Sequence, residues 1–148
     1  MLLSIENVGK ILNASFRIDG ITIIAGDNNT GKSTVGKILY CLYRGFFDEP
    51  EIHLHPEWQL AFAEVIVLLQ KEFDLSIVVT THSAYFLFAV EVFSAKHEIK
   101  HNCNYYLAEA AGNDMVAAFA DVTDNLEPIY AKYFKPFQEL ENMRWSDA

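Results

Sequence analysis

The segment Gly20-Ile-Thr-Ile-Ile-Ala-Gly26-Asp-Asn-Asn-Thr-Gly31-Lys32-Ser33 decides the fold of this chain. Its second half, Gly26 to Ser33, fits G-x-x-x-x-G-K-[ST], the pattern of a phosphate-binding loop. Its first half predicts a short apolar strand, and Ser33 onward predicts a helix. Because the motif requires a strand before it and a helix after it, a glycine turn that binds nothing is the weaker interpretation.

The predicted loop supplies three kinds of ligand for a nucleotide. Backbone N–H groups of such a loop converge on phosphate oxygens, and the helix N-terminus adds the positive end of its dipole. Lys32 would reach the β- and γ-phosphates, and the hydroxyl of Ser33 would bind Mg²⁺. The predicted nucleotide contacts are Gly26, Asp27, Asn28, Asn29, Thr30, Gly31, Lys32, Ser33 and Thr34.

Strand and helix patterns alternate along the chain. The predicted elements are a hairpin of Leu2 to Val8 and Ala14 to Ile18, the strand Ile21 to Ala25, a helix from Ser33 to about Tyr43, a helix from Pro56 to Phe73, the strand Leu75 to Thr80, a helix from Ser83 to Lys96, the strands Asn104 to Ala108 and Met115 to Val122 turning at Gly112-Asn113, and a last helix capped by Thr123 or Asp124. This order predicts one α/β domain over residues 1–148, with a mostly parallel sheet and an antiparallel N-terminal region.

The run Asp48-Glu49-Pro50-Glu51 places adjacent carboxylates at the end of a predicted strand. Hydrolysis of a phosphoanhydride needs one carboxylate for Mg²⁺ and another that polarises the attacking water. Adjacent acids at a strand end can point to different sides, so we assign Asp48 to the metal and Glu49 to the water. A solvated acidic turn is the alternative, which the phosphate-loop motif in the same chain disfavours.

A histidine, His82, follows the buried strand Leu75 to Thr80. The carboxyl ends of parallel strands face the ligand crevice of an α/β sheet. A histidine at this edge can hydrogen-bond the γ-phosphate and the attacking water. This position favours a functional role for His82 over that of a core or cap residue.

Three motifs in this order, G-D-N-N-T-G-K-S, D-E-P-E-I-H-L-H-P and T-T-H-S, resemble those of the ABC-type ATPases. The second motif, and the opening Ile5-Glu6-Asn7-Val8-Gly9 that leads to Ile23-Ile24-Ala25-Gly26, are most similar to the SMC-like and OLD-like ATP-binding proteins of bacteria. The resemblance covers Leu2 to about Tyr133. It implies that Gly26 to Ser33 form the phosphate loop, Asp48 binds the metal, Glu49 is the catalytic base and His82 is the switch histidine.

The resemblance also implies a function. It indicates a P-loop ATPase head that binds ATP and Mg²⁺ between the subunits of a homodimer or larger homo-oligomer. Members of this branch often serve DNA repair or anti-phage defence, for example beside a nuclease in Septu-like systems, which implies a nuclease or effector partner. We therefore expect ATP hydrolysis coupled to a partner. The alternatives are a nucleotide-binding regulatory or scaffold module without hydrolysis, and an interaction subunit with a vestigial site.

The spacing between the first two motifs departs from the family. Only 14 residues separate Ser33 from Asp48, whereas the family places there a glutamine loop, a helical or coiled-coil insertion and a Ser-Gly signature segment. A three-turn helix after Ser33 leaves only Gly45-Phe46-Phe47 for the return across the sheet. We therefore expect that residues are missing from the chain between about Arg44 and Asp48.

Composition limits the partners. The formal net charge is −9, so the surface repels nucleic acid and we expect contact with DNA only indirectly. Apolar stretches are interrupted by charge, which predicts no membrane span. Two cysteines without metal or disulfide spacing favour a cytoplasmic location.

Two smaller patterns have structural interpretations as the default. His53 and His55 lie near Glu51 and Glu57, but without a third converging ligand we favour polar loop contacts over a metal site. Aromatic residues are interpreted as core, with a partner-binding face as the alternative for the second group if its helix is exposed. These groups are Tyr85, Phe86, Phe88 and Phe93, and Tyr130, Tyr133, Phe134 and Phe137.

Overall fold

One mixed sheet carries the elements that surround the phosphate-loop motif. A computed structural model of the protein describes residues 2–42, 46–52, 54–111 and 116–146. Within these residues the elements are β1 (Leu2–Val8), β2 (Ile11–Arg17), β3 (Ile21–Gly26), α1 (Lys32–Leu42), β4 (Phe46–Asp48), α2 (Pro56–Phe73), β5 (Ile77–Thr81), α3 (Ala84–Lys96), a 3-10 turn (Lys100–Asn102), β6 (Cys103–Ala111), β7 (Val116–Asp121) and α4 (Glu127–Ser146).

The strand order in the described part of the sheet is β1-β2-β7-β6-β3-β5-β4. The central strand β3 is parallel to both of its neighbours, β5 and β6, and β4 is parallel to β5. The pairs β1–β2 and β6–β7 are antiparallel. The α/β class, the mostly parallel sheet and the antiparallel N-terminal region are therefore confirmed.

Helices cover both faces of the central strand. Ile21, Ile23 and Ala25 of β3 pack with apolar residues of α2, α3 and α4. Ile24, whose side chain alternates to the other face, packs with Val35 of α1. Every residue of β3 is buried, which is why this strand has a continuous apolar run instead of an alternating one.

Most predicted boundaries agree with the structure. The helix α2 has the predicted limits, Pro56 and Phe73, and ends where Asp74 adopts the left-handed conformation with φ +51°. Ser83 caps α3 by accepting a hydrogen bond from the N–H of Phe86. The predicted turn Gly112-Asn113 lies outside the described residues. So do residues 43–45, which include the start of the interval from about Arg44 to Asp48 where we expect missing sequence.

The predicted start of the last helix is wrong. This helix begins at Glu127, so neither Thr123 nor Asp124 is its cap. The hydroxyl of Thr123 instead accepts a hydrogen bond from the N–H of Tyr105 on the neighbouring strand β6. The helix continues through Pro136 to Ser146.

The core interpretation of the aromatic residues is only partly correct. Phe86 is fully buried, but Tyr85 and Phe88 on the same helix are about half exposed, at 44% and 54%. On α4, Phe134 and Phe137 are exposed to 49% and 67%, and every residue from Phe134 to Trp145 is exposed. None of the helices within the described residues is both long enough and apolar enough to cross a bilayer.

Candidate functional site

The phosphate-loop motif forms the turn between β3 and α1. The hydroxyl of Thr30 donates to the carbonyl of Asp27 over 2.7 Å. Gly31, at φ +84°, ends the turn, and its carbonyl accepts from the N–H of Thr34 over 3.0 Å. The first N–H groups of a helix such as α1 have no intrahelical acceptor, so they are available to an anion.

The loop borders a cavity of about 300 Å³. Its lining residues are Gly9, Lys10, Asn28, Asn29, Thr30, Gly31, Lys32, Ser33, Thr34 and Glu49. The predicted contacts from Asn28 to Thr34 therefore share one cavity with the predicted base Glu49. Gly26 and Asp27 are not part of this lining, and their carbonyl oxygens face Lys32.

The ammonium group of Lys32 lies inside the loop. Its side chain is only 4% exposed, and it donates to the carbonyls of Gly26 at 2.9 Å and Asp27 at 2.7 Å. Burial lowers the pKa of Lys32, an effect that the nearby carboxylate of Glu49 partly offsets. A buried cation of this kind gains from an additional negative group, such as a phosphate.

A tight turn after β4 orients the predicted acids. The N–H of Glu49 donates to the carbonyl of Thr80 at 3.0 Å, and Glu49 has a left-handed backbone with φ +44°. The hydroxyl of Thr80 donates to the carboxylate of Asp48. The end of β5 therefore holds both acidic residues. The carboxylate of Asp48 stays at Thr80, whereas that of Glu49 points toward Lys32 and His82.

The structure brings Glu49, Lys32 and His82 together. The same carboxylate oxygen of Glu49, Oε1, lies 3.9 Å from Nζ of Lys32 and 3.3 Å from Nδ1 of His82. These residues come from three separate parts of the chain, which follow β4, β3 and β5. They meet at the carboxyl edge of the parallel strands.

The predicted metal ligands, Ser33 and Asp48, both offer oxygen atoms. Ser33 lines the cavity at the start of α1, and the exposed Asp48 ends β4. Their hydroxyl and carboxylate fit Mg²⁺, which binds one or two protein oxygens and takes its remaining ligands from phosphates and water. The described residues contain no group of three or more acidic, histidine or cysteine side chains that could hold a metal.

Sequence analysis missed two residues that line the cavity, Gly9 and Lys10. In the predicted hairpin they lie only in the connection between the strands Leu2 to Val8 and Ala14 to Ile18. Gly9 has φ +57°, and a Cβ atom there would lie 3.7 Å from the side chain of Thr34 in the first turn of α1. The only sequence signal for these residues was a basic residue next to a turn glycine. This signal does not show that the turn lies beside the phosphate loop, because that contact depends on the tertiary structure.

A buried carboxylate, that of Glu51, was also not assigned to the site. Glu51 is 3% exposed. Its Oε1 accepts from the hydroxyl of Thr81 and, at 3.3 Å, from the N–H of His82. Its Oε2 is buried without a hydrogen-bond partner in the described structure. Glu51 therefore fixes the backbone from which His82 projects.

Polar loop contacts were the favoured interpretation for His53 and His55. His55 is exposed, and His53 lies outside the described residues.

Glu51→Ala should destabilise the protein strongly. The change leaves the buried hydroxyl of Thr81 and the N–H of His82 without their acceptor, which costs about 2–3 kcal/mol of the free energy of unfolding. Urea denaturation measures this loss, with Glu72→Ala, an exposed change on α2, as the control that leaves stability within about 0.5 kcal/mol. Equal midpoints for both variants would contradict the assigned hydrogen bonds.

Comparison with known proteins finds a similarity over one part of the chain. Residues 46–88 match the family model described as "AAA domain, putative AbiEii toxin, Type IV TA system". The match spans β4, α2, β5 and the start of α3, and so includes both predicted acids and His82. It covers less than a third of the chain. No curated protein matches the chain.

This similarity is to a P-loop ATPase-like family. The mixed α/β fold with its mostly parallel sheet is consistent with such a domain. At this coarse level the match supports binding and hydrolysis of a nucleotide. The match does not extend to the phosphate loop, which precedes residue 46.

Proposed function

We propose that this chain binds and hydrolyses ATP as an ABC-type, SMC-like ATPase head. The observation that carries this proposal is the meeting of Lys32, Glu49 and His82 around one carboxylate oxygen, at the mouth of the phosphate loop. A cation for the phosphates, a carboxylate for water and a histidine beside that carboxylate are groups that phosphoanhydride hydrolysis can use. The sequence motifs that contain these residues give the same assignment.

The residues divide the reaction between them. In the structure, the carboxylate of Glu49 lies 3.9 Å from the ammonium of Lys32, and an incoming γ-phosphate would take its place as the counter-charge. Glu49 is then free to accept a proton from water as the water oxygen bonds to the γ-phosphorus. The bond from that phosphorus to the bridging oxygen breaks, and His82 is placed to hydrogen-bond the γ-phosphate.

Magnesium would be held by Ser33 and Asp48. A bound Mg²⁺ neutralises charge on the β- and γ-phosphates and orients them for transfer. The hydrogen bond from Thr80 to the Asp48 carboxylate orients this ligand. The protein's part is to place one hydroxyl and one carboxylate beside the loop.

The biological setting that we propose follows from resemblance. The SMC-like and OLD-like motifs favour a homodimer or larger homo-oligomer coupled to a nuclease or effector partner, in DNA repair or anti-phage defence in the cytoplasm. The description of the matched family names a putative toxin of a type IV TA system. The net charge of −9 favours contact with DNA through the partner.

A second candidate is a nucleotide-binding module that does not hydrolyse ATP. The observation that favours it is the interval of 14 residues between Ser33 and Asp48, which leaves no room for a signature segment. In the related ATPases that segment completes the site across the dimer. Such a module would regulate or support a partner through its nucleotide state.

Removal of magnesium should separate these functions. We expect phosphate release from ATP in Mg²⁺ and its loss on addition of EDTA, because the charge of the triphosphate is then not neutralised. A phosphate-release assay and calorimetric titration with ATP measure turnover and affinity. Micromolar affinity with no turnover would select the second candidate, and absence of binding would exclude both.

A further inference from the structure

The C-terminal helix α4 reaches the phosphate loop through one hydroxyl group. The hydroxyl of Tyr133 accepts a hydrogen bond from the N–H of Gly26 at 3.0 Å and donates to the carbonyl of Thr81 at 3.2 Å. Gly26 begins the phosphate loop at the end of β3, and Thr81 ends β5. One oxygen atom therefore joins the two strand ends from which the candidate site is built.

This hydroxyl lies where the ladder between β3 and β5 would otherwise continue. At the start of the pair, the N–H of Ile77 donates to the carbonyl of Gly20. Thr81 has the same orientation four residues later and lies opposite Ala25. The pattern of a parallel ladder would next join the N–H of Gly26 to the carbonyl of Thr81. The hydroxyl of Tyr133 lies between these two groups and forms a hydrogen bond with each of them.

The two strand ends carry the two groups that would meet the γ-phosphate. The carbonyl of Gly26 accepts from Nζ of Lys32 at 2.9 Å, so the position of Gly26 sets that of the ammonium group. Thr81 directly precedes His82. The separation that Tyr133 fixes is therefore the separation between the Lys32 and His82 sides of the site.

The surroundings of Tyr133 suit this role. Its ring packs against the core cluster that contains β3 and β5. Burial raises the pKa of Tyr133 to about 12, with the Gly26 N–H acting in the opposite direction. The hydroxyl thus keeps its proton at neutral pH and can donate to Thr81. The adjacent Lys132 holds the next loop residue, with Nζ 3.1 Å from a carboxylate oxygen of Asp27.

We propose that Tyr133 is a positioning residue whose hydroxyl holds the phosphate loop and the His82 end of β5 at the separation that γ-phosphate recognition needs. The inference rests on the proposed nucleotide binding and deepens it. Contacts to the α- and β-phosphates come from the loop alone and do not depend on this separation. Contacts to the γ-phosphate need both the Lys32 side and the His82 side of the site.

The Tyr133→Phe variant tests the proposal because it removes the hydroxyl and keeps the ring. We expect the dissociation constant for Mg-ATP to rise on the order of 10-fold, the loss of about one charged hydrogen bond. The dissociation constant for Mg-ADP should change by less than about 3-fold. The selectivity for ATP over ADP therefore falls, whereas general destabilisation would weaken both nucleotides equally.

Tyr130→Phe is the matched control. Tyr130 lies one turn earlier on α4, is also partly buried, and donates its hydroxyl to Glu91 of α3 instead of the loop. This variant should keep the wild-type selectivity. Calorimetric titration of the wild-type protein and both variants, with their melting temperatures, gives the comparison.

Each result decides a separate point. Loss of selectivity in Tyr133→Phe alone supports the positioning role. Unchanged selectivity in Tyr133→Phe, or an equal loss in both variants, would overturn it while nucleotide binding by the wild-type protein stands. If the wild-type protein binds neither nucleotide, the proposed function itself fails and this inference fails with it.

Discussion

Glu49→Gln should abolish ATP turnover while nucleotide stays bound. The amide keeps the size of the side chain but cannot accept the proton of the attacking water. General-base catalysis typically contributes about 10²–10⁴-fold, and we expect a loss of this size in kcat. The change also removes the negative charge that lies 3.9 Å from Lys32. The γ-phosphate then no longer competes with this carboxylate for the ammonium group. Affinity for ATP should therefore be unchanged or higher.

Phosphate release measures the loss of turnover, and titration with ATP measures retained binding. Glu57→Gln is the control, because Glu57 is exposed in the first turn of α2 and has no predicted role. Turnover in Glu49→Gln at the rate of the control would remove Glu49 from the mechanism. A loss of both binding and turnover would instead indicate a structural role of the carboxylate.

Lys32→Ala should have the largest effect on affinity. Two charged hydrogen bonds to the β- and γ-phosphates are lost, each of about 1.5–3 kcal/mol, so affinity for ATP should fall on the order of 100-fold or more. The folded state loses the donor to the carbonyls of Gly26 and Asp27, but it no longer buries a cation. These effects on stability oppose each other.

Lys37→Ala on the same helix provides the control, since Lys37 is exposed. It should bind ATP as the wild-type protein does. Melting temperatures of both variants establish that the Lys32 variant is folded before its affinity is measured. Affinity of the folded Lys32→Ala variant within a few-fold of the control would contradict the assignment of Gly26 to Ser33 as a phosphate loop.

Local patterns predicted most of the elements because their causes are local. The helix α2 has its predicted limits, since Pro56 fits a first helical turn and the apolar pattern ends near Phe73. The apolar run Ile21 to Ala25 predicted a short strand, and the structure shows that every residue of β3 is buried. The start of α4 was predicted wrongly, because the hydroxyl of Thr123 bonds to β6 instead of capping the helix.

The candidate site was predicted in part. Lys32, Glu49 and His82 belong to motifs whose places at strand ends imply that they meet, and they lie together in the structure. The roles of these residues, and those of Ser33 and Asp48 in binding Mg²⁺, remain predictions. Exposure of Phe134 and Phe137 on α4 did not follow from their spacing, because spacing shows which residues share a face but not what covers that face.

The sequence by itself determined the phosphate-loop motif, the order of the elements and the α/β class. These depend on backbone conformation and apolar periodicity within a few residues. Only the tertiary structure decided that Glu51 is buried beneath His82, and that Tyr133 inserts its hydroxyl beside Gly26, 107 residues earlier in the chain. Such contacts depend on how the helices pack against the sheet, and a single tyrosine or glutamate in a sequence contains no information about the distant groups that it will meet.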